Sequence, residues 1–219
     1  MNEETLIKIF GKQWFDLLSK YLLSKDFLIL GQTIANMRKE RTIYPEKEYL
    51  FREFRETTPE NIKVLFIVNQ VIDKYYCHPI CCCESYFVNK LMKAWQRELI
   101  AEYPELENRF LISGSIDLED FKYLREQGVF FLNTHLTDDN KLGWYHEDLW
   151  KQFIKNVVFN LNKLENLIIV LSGADTWKLE KDLNLNGNTI KIPHITNDEF
   201  IGCGIFRKIN NKLDKEINW

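Results

Sequence analysis

The feature that most constrains this chain is an almost continuous apolar run at residues 62–68, which stops abruptly at Asn69 and Gln70. A short run of β-branched and aromatic residues without helical period is typical of a strand covered on both faces, as strands of parallel sheets are. Three later runs share this character, at residues 129–132, 167–171 and 189–192. The sequence therefore predicts four buried parallel strands.

Each run is followed by polar or turn residues at its carboxyl end. Asn69 follows the first run, Asn133 the second, Ser172 and Gly173 the third, and His194 closely follows the fourth. Open α/β sheets place their ligand sites at the carboxyl ends of their strands. We therefore expect a functional site where these residues meet.

Segments with helical spacing lie before and between the predicted strands. One or two helices are predicted in residues 3–30, broken near Ser24, and another from Pro45 to about Thr57. Further helices are predicted at about residues 85–101, 117–126, 147–164, 175–183 and 206–214. Such alternation predicts an α/β fold, with a central four-stranded parallel sheet in three α/β/α layers. We expect a single domain over residues 1–219, with an N-terminal helical segment, residues 1–45, packed on it.

Composition limits the classes of protein to consider. With 219 residues and 45% hydrophobic content, the chain is long enough for one soluble domain with a substantial core. The 29 Lys and Arg against 32 Asp and Glu give a net charge of −3, so no global basic field indicates nucleic acid. No apolar run approaches the ~20 residues that span a bilayer. The charged amino terminus does not resemble a signal peptide, so we expect a cytoplasmic protein with no membrane partner.

The chain contains five cysteines, namely Cys77, Cys81, Cys82, Cys83 and Cys203. Three consecutive cysteines and a cytoplasmic setting favour free thiols. The alternative is a metal or iron–sulfur site built from Cys77, His78, Cys81 and a neighbouring residue. The sequence offers neither the paired Cys-x-x-Cys spacing nor a second cluster, so we expect no metal and no cofactor.

Seven motifs occur in the order, and at compatible spacings, of one known family. The longest, at residues 127–137, reads Gln-Gly-Val-Phe-Phe-Leu-Asn-Thr-His-Leu-Thr. The others are Tyr44-Pro45 with Phe51-Arg52-Glu53-Phe54, Lys63-Val64, His146 with Trp150 and Phe153, Leu171-Ser172-Gly173-Ala174, His194, and Gly202-Cys203 with Phe206 and Trp219. By these motifs, most of the chain resembles the uracil-DNA glycosylases.

The resemblance implies a monomeric DNA glycosylase of the cytoplasm or nucleoid that needs neither metal nor cofactor. Such an enzyme flips a base out of single- or double-stranded DNA and hydrolyses its N-glycosidic bond. It further implies that Asn133 reads the base, because an amide matches the O4/N3 edge of a pyrimidine as donor and acceptor. His194 would donate to the base O2 and stabilise the departing anion. The residues implied to contact DNA are Ile195, Thr196, Ser172 and Gly173, with Ile195 as the candidate wedge between bases.

The chain departs from the family after the first strand, where the family has Gly-Gln-Asp-Pro-Tyr-His. An alignment without a gap places Gln70 at the position of the Asp that holds the attacking water, whereas deletion of one residue places Asn69 there. We favour Asn69, because relatives specialised for other bases carry Asn in a Gly-x-Asn-Pro motif. An amide orients water but lacks the charge that stabilises an oxocarbenium-like transition state. A slower enzyme, or an inactive one, is expected.

Further departures concern the base pocket and the histidine loop. Val71 or Ile72 replaces the Tyr that blocks pyrimidine C5, and Cys82 replaces the stacking Phe. Base–aromatic stacking is worth ~1–3 kcal/mol, so this loss weakens binding or makes room for a larger base. The loop after His194 carries Asp198 and Glu199, which would repel phosphates.

Two functions follow from these departures. The first is excision of uracil or of a 5-substituted pyrimidine, such as a modified base of phage DNA. The second is a catalytically inactive homologue that acts as a DNA- or protein-binding module, for instance in replication or phage defence.

Overall fold

A four-stranded parallel sheet forms the centre of the structure, a computed structural model that describes residues 2–69, 86–108, 118–139, 143–185 and 187–219. Its strands are β1 (Val64–Val68), β2 (Val129–Asn133), β3 (Ile168–Ser172) and β4 (Thr189–Ile192). They lie in the order β2-β1-β3-β4, and every pair is parallel. The predicted sheet is therefore confirmed.

Helices occupy most of the remaining described chain. Before the sheet come α1 (Glu3–Phe10), α2 (Lys12–Leu22), α3 (Lys25–Glu40) and α4 (Arg52–Glu56). Between and after the strands come α5 (Tyr86–Glu102), α6 (Leu118–Glu126), α7 (Gly143–Leu161), α8 (Ala174–Leu183) and α9 (Ile205–Asn210). Among the described residues, no helix combines the length and apolar character needed to cross a membrane.

Alternate strand residues face two separate cores. Leu65 and Ile67 point into a core shared with α1–α4 and α7, whereas Val64, Phe66 and Val68 face a core built with α5, α6 and α9. Because side chains alternate across a strand, helices must cover both faces of so apolar a sheet. The result is the expected three-layer α/β/α domain.

The N-terminal helices contribute directly to the first core. Phe10 is fully buried, with ring centroids 4.4 Å from Phe51 and 6.1 Å from Phe153 of α7. Trp14 donates from its indole nitrogen to the carbonyl oxygen of Thr57 over 2.7 Å. We propose that this segment belongs to the same domain as the sheet.

The prediction of a helix starting at Pro45 was wrong. Tyr44 instead pairs antiparallel with Asp138 through backbone hydrogen bonds of 2.7 and 2.9 Å, and the Tyr44–Pro45 peptide is cis. Arg38 also donates to the carbonyl oxygens of Ile43 and Pro45, over 2.7 and 2.6 Å. These contacts hold residues 43–45 in a non-helical conformation, and turns follow, so only Arg52–Glu56 is helical.

Four other helix boundaries differ from the prediction. The first break falls at Gly11 as well as at Ser24, and α3 continues through the polar passage at residues 36–40. Helix α7 begins at Gly143 rather than 147, and α9 ends at Asn210 rather than 214. Ser24 caps α3 by accepting from the N–H of Phe27 over 3.3 Å, which explains why a new helix starts there.

Candidate active site

The carboxyl ends of the four strands reach the same edge of the sheet. Val68 lies opposite both Asn133 and Ser172, and Ser172 lies opposite Ile192. The pairing extends just beyond the strands, because Thr134 donates from its N–H to Val68 over 3.0 Å and Gly173 donates to Ile192 over 3.0 Å. The polar residues that follow the strands therefore start from neighbouring positions, as the sequence predicted.

His194 crosses the end of β3 and reaches the end of β1. Its Nε2 lies 2.8 Å from the backbone carbonyl oxygen of Asn69. A carbonyl oxygen only accepts, so Nε2 carries a proton. Its Nδ1 accepts from the N–H of Thr196 over 3.3 Å and lies 2.7 Å from the Thr196 hydroxyl oxygen. The histidine is thus held as a neutral imidazole that donates from Nε2.

Gly173 makes room for this imidazole. Its φ of +87° and ψ of 155° fall in a region that is almost restricted to glycine. A Cβ there would lie 3.1 Å from both Cβ and Cδ2 of His194. Position 173 therefore requires glycine for its backbone and for the close approach of the histidine.

Ser172 connects the ends of β3 and β4. Its hydroxyl donates to the carbonyl oxygen of Pro193 over 3.4 Å and accepts from the N–H of Ile195 over 3.2 Å. The side chain of Ile195 is 0% exposed and packs in the second core with Ile192 and Phe200. Ile195 packs inward in this conformation, and it would have to leave the core to enter a DNA stack.

Asn133 ends β2 directly beside β1. The side chain is buried, with 1% of its surface exposed. Its register partner on β1 is Val68, and Asn69 is the residue that follows Val68. The two amides therefore start from neighbouring backbone positions. The same edge of the sheet therefore carries two amides and the imidazole of His194, which contacts the backbone of Asn69.

The side chain of Asn69 is held by a residue that the sequence did not single out. Its Nδ2 donates to Oε1 of Glu147, in the first turns of α7, over 2.6 Å. Both residues are partly exposed. The one available signal for Glu147 was its place directly after His146 in a motif shared with the family.

Helix α7 is tied to the site by a buried hydrogen-bond chain. The Thr137 hydroxyl accepts from the indole nitrogen of Trp150 over 2.7 Å and contacts Nδ1 of His146 over 2.9 Å. Burial lowers the pKa of His146, and the charges of Asp138 and Asp139 act in the opposite direction. The polar end of α7 is thereby fixed beside β2.

Three buried side chains next to this chain have the geometry to share a cation. Asp138, Asp139 and His146 offer ligand atoms within 4.8 Å of one another. Arg41 donates to Asp139 over 2.8 Å, so a protein cation already balances one carboxylate. We interpret the group as a polar part of the core, and the expected absence of metal stays a prediction.

Several predicted site residues lie outside the described part of the chain. They are Gln70, Val71, Ile72 and Cys82, together with Cys77, His78 and Cys81 of the alternative metal site and the further cysteine Cys83. Cys203 is described and is a free thiol. Burial raises its pKa to about 12, with the nearby charge of Glu98 acting in the same direction, and a raised pKa disfavours the reactive thiolate.

The fold and this edge define an α/β domain of the class that binds its ligand at the carboxyl ends of parallel strands. No protein-family model matches the chain. It is 31% identical over 210 residues to the uracil-DNA glycosylase of Proteus mirabilis, covering 87% of this chain and 88% of that protein. It is 30% identical over 199 residues to the uracil-DNA glycosylase of Mycoplasmopsis pulmonis, covering 85% and 86%.

A solved structure of the same family has a similar fold. The crystal structure of mimivirus uracil-DNA glycosylase superposes on all of this chain and on 89% of its own, with a TM-score of 0.77 and 21% identity. The chain therefore belongs to the uracil-DNA glycosylases, and the resemblance is confirmed.

Proposed function

We propose that this protein is a DNA glycosylase that hydrolyses the N-glycosidic bond of a base extruded from DNA. One observation in the site supports this beyond family membership: His194, from the end of β4, reaches Asn69 at the end of β1, beside Asn133 at the end of β2. An amide can read a base edge, and an imidazole N–H can stabilise the departing base anion.

In the proposed reaction, Oδ1 of Asn69 accepts a hydrogen bond from a water and directs its oxygen at C1′ of the sugar. The C1′–O bond forms as the bond between C1′ and the base nitrogen breaks, and the electron pair leaves with the base. His194 turns its Nε2 proton from the Asn69 carbonyl to the base O2. The proton of the attacking water passes to solvent. Gln70 is the alternative residue to hold the water.

The proposed substrate is uracil or a 5-substituted pyrimidine. Asn133 would read the O4/N3 edge of the base, and the replacements Val71, Ile72 and Cys82 would leave room at C5. We propose that Ser172, Gly173 and Thr196 lie at the DNA interface of a monomer that works in the cytoplasm or at the nucleoid. Excision of modified bases would suit a role against phage DNA.

A binding module without catalysis is the second candidate. It is favoured by the exposed Asp198 and Glu199 that follow His194, since carboxylates beside phosphates weaken the DNA contact on which base flipping depends. An amide in place of the family's Asp points the same way, because it adds no negative charge next to the developing oxocarbenium ion.

Base excision from defined oligonucleotides separates the two candidates. Single- and double-stranded DNA carrying one uracil, 5-hydroxymethyluracil or glucosylated 5-hydroxymethylcytosine is incubated with protein in excess, and alkali then cleaves abasic sites. We expect scission of at least one substrate, lost in Asn133→Ala and retained in Asn211→Ala, which removes an exposed amide instead. Intact strands on every substrate would reject the glycosylase and favour the binding module, whose DNA affinity fluorescence anisotropy would then measure.

A further inference from the structure

Glu147 fixes the orientation of the Asn69 amide. The 2.6 Å contact joins Asn69 Nδ2 to Glu147 Oε1. An ionised carboxylate only accepts hydrogen bonds, so the NH₂ group of the amide must face Glu147. The carbonyl end, Oδ1, is then directed away from Glu147. Without such a partner, the two ends of an amide exchange by rotation about the last side-chain bond.

Helix α7 makes Glu147 a rigid support. His146, the preceding residue, is buried and contacts Thr137, and Trp150, three residues further, donates to the same hydroxyl. The next turn adds Phe153 and Ile154 to the first core. A carboxylate anchored on α7 and an amide that directly follows β1 form this short, charge-assisted hydrogen bond.

We propose that Glu147 is a positioning residue for the glycosylase reaction, and this inference rests on the proposed function. By holding Nδ2, it keeps Oδ1 of Asn69 ready for the attacking water. It also places a negative charge one hydrogen bond from Asn69, where the family carries the charge on the water-holding residue itself. Glu147 would thereby replace, through Asn69, part of the transition-state stabilisation that the amide cannot supply.

A double-mutant cycle tests this role. We expect Glu147→Ala to lower kcat by about 10–100-fold with little change in KM, as for other partners that orient a reactive group. Glu147→Gln keeps an acceptor for Nδ2 but loses the charge, and we expect an intermediate kcat. In the Asn69→Ala background, Glu147→Ala should have no further effect, because Glu147 acts through Asn69. The matched control is Asp148→Asn, which removes an exposed carboxylate from the next position of α7.

Exchanging the charges tests the contact without relying on activity. Asn69→Asp places two carboxylates where the hydrogen bond now lies, so we expect a lower Tm at pH 8 than in wild type. The double variant Asn69→Asp with Glu147→Gln restores a donor opposite a carboxylate, and we expect it to recover the Tm and to match or exceed the kcat of wild type. Equal Tm values for the single and the double variant would overturn the contact.

The outcomes separate this inference from the proposed function. An active wild type whose kcat falls equally on Glu147→Ala in the presence and absence of Asn69 would overturn the positioning role alone. A wild type that releases no base from any substrate would overturn both proposals. If the lower Tm of Glu147→Ala left part of the protein unfolded in the assay, and this fraction accounted for the whole loss of kcat, Glu147 would be assigned to stability. That outcome would also reject the positioning role.

Discussion

The tips of β1 and β4 meet in the site, yet they are held in different ways. His194 is fixed by its own loop and by the neighbouring strand, through Thr196, Ser172 and the close approach of Gly173. Asn69 is fixed from outside the sheet, by Glu147 of α7. The loop of His194 is thus held by residues at most 23 positions apart, and only its Nε2 contact with the Asn69 carbonyl oxygen spans 125 positions. The Asn69 side chain, by contrast, is held by a residue 78 positions away.

This difference indicates where the two ends of the site can vary. The β4 end is built from backbone geometry and from a glycine that no other residue replaces without strain. The β1 end consists of two polar side chains, each of which can be exchanged if the other changes to match. The family's residues are retained at Gly173 and His194 themselves, whereas the motif is altered after β1 and in the loop that follows His194.

Removal of His194 is expected to cause the largest loss of kcat. A small loss would contradict the view that the β4 end supplies the imidazole of the site. Loss of one donor to a developing anion lowers kcat by roughly 10²–10³-fold, and we expect a loss of this size in His194→Ala. Single-turnover excision assays measure it, with circular dichroism to verify the fold. Full activity in this variant would remove the imidazole from the reaction and favour the binding module.

Gly173→Ala should have the next largest effect and acts on the same end of the site. We expect a loss of about 1–3 kcal/mol in the free energy of unfolding, because an L-residue is strained at this φ and ψ. Activity should fall as well, since the new Cβ displaces His194. Urea denaturation measures the first effect. Gly187→Ala is the control, because no heavy atom lies within 4 Å of its added Cβ and its φ is not in the positive range. Equal losses of unfolding free energy in both variants would refute the explanation.

The smallest expected effect concerns the support of the β1 end through α7. Burial lowers the pKa of His146 from its ordinary value of about 6.5, and His135 and Arg41 act in the same direction, against Asp138 and Asp139. The unfolded chain therefore binds a proton that the folded chain does not. The stability that neutral His146 contributes is complete above pH ~6.5 and is lost as the pH falls through the depressed pKa, by at most about 1.4 kcal/mol per pH unit.

Calorimetry of His146→Asn beside wild type measures this contribution. Between pH 7.5 and 5.5 the Tm of wild type should fall more steeply than that of the variant, because only wild type carries the imidazole whose pKa folding lowers. Parallel curves would show that His146 does not control the acid sensitivity of α7.

Much of the fold followed from local patterns, and the errors had tertiary causes. The runs around Phe66, Phe131 and Val170 predicted strands because they are apolar without helical period, and all three are buried in the sheet. Pro45 has the local character of a helix start, but Arg38 and Asp138 hold the chain there in another conformation. Asp138 lies more than ninety positions away, and the local pattern around Pro45 does not specify that partner.

The candidate site divides in the same way. The sequence placed Asn69, Asn133 and His194 at one edge because strands of a parallel sheet end together. It could not identify Glu147, whose role depends on how α7 packs against β1, or the burial of Ile195, which occupies a loop position that resembles a DNA contact.

The amino-acid sequence by itself determined the parallel sheet, the two-sided burial of its strands and the polar residues that follow them, because these depend on periodicity and on the order of residues along the chain. Only the tertiary structure decided which nitrogen of His194 carries the proton, which way the Asn69 amide faces and which residue holds it. The physical reason is that a hydrogen bond depends on the position of both partners, and here the partners come from elements distant in sequence.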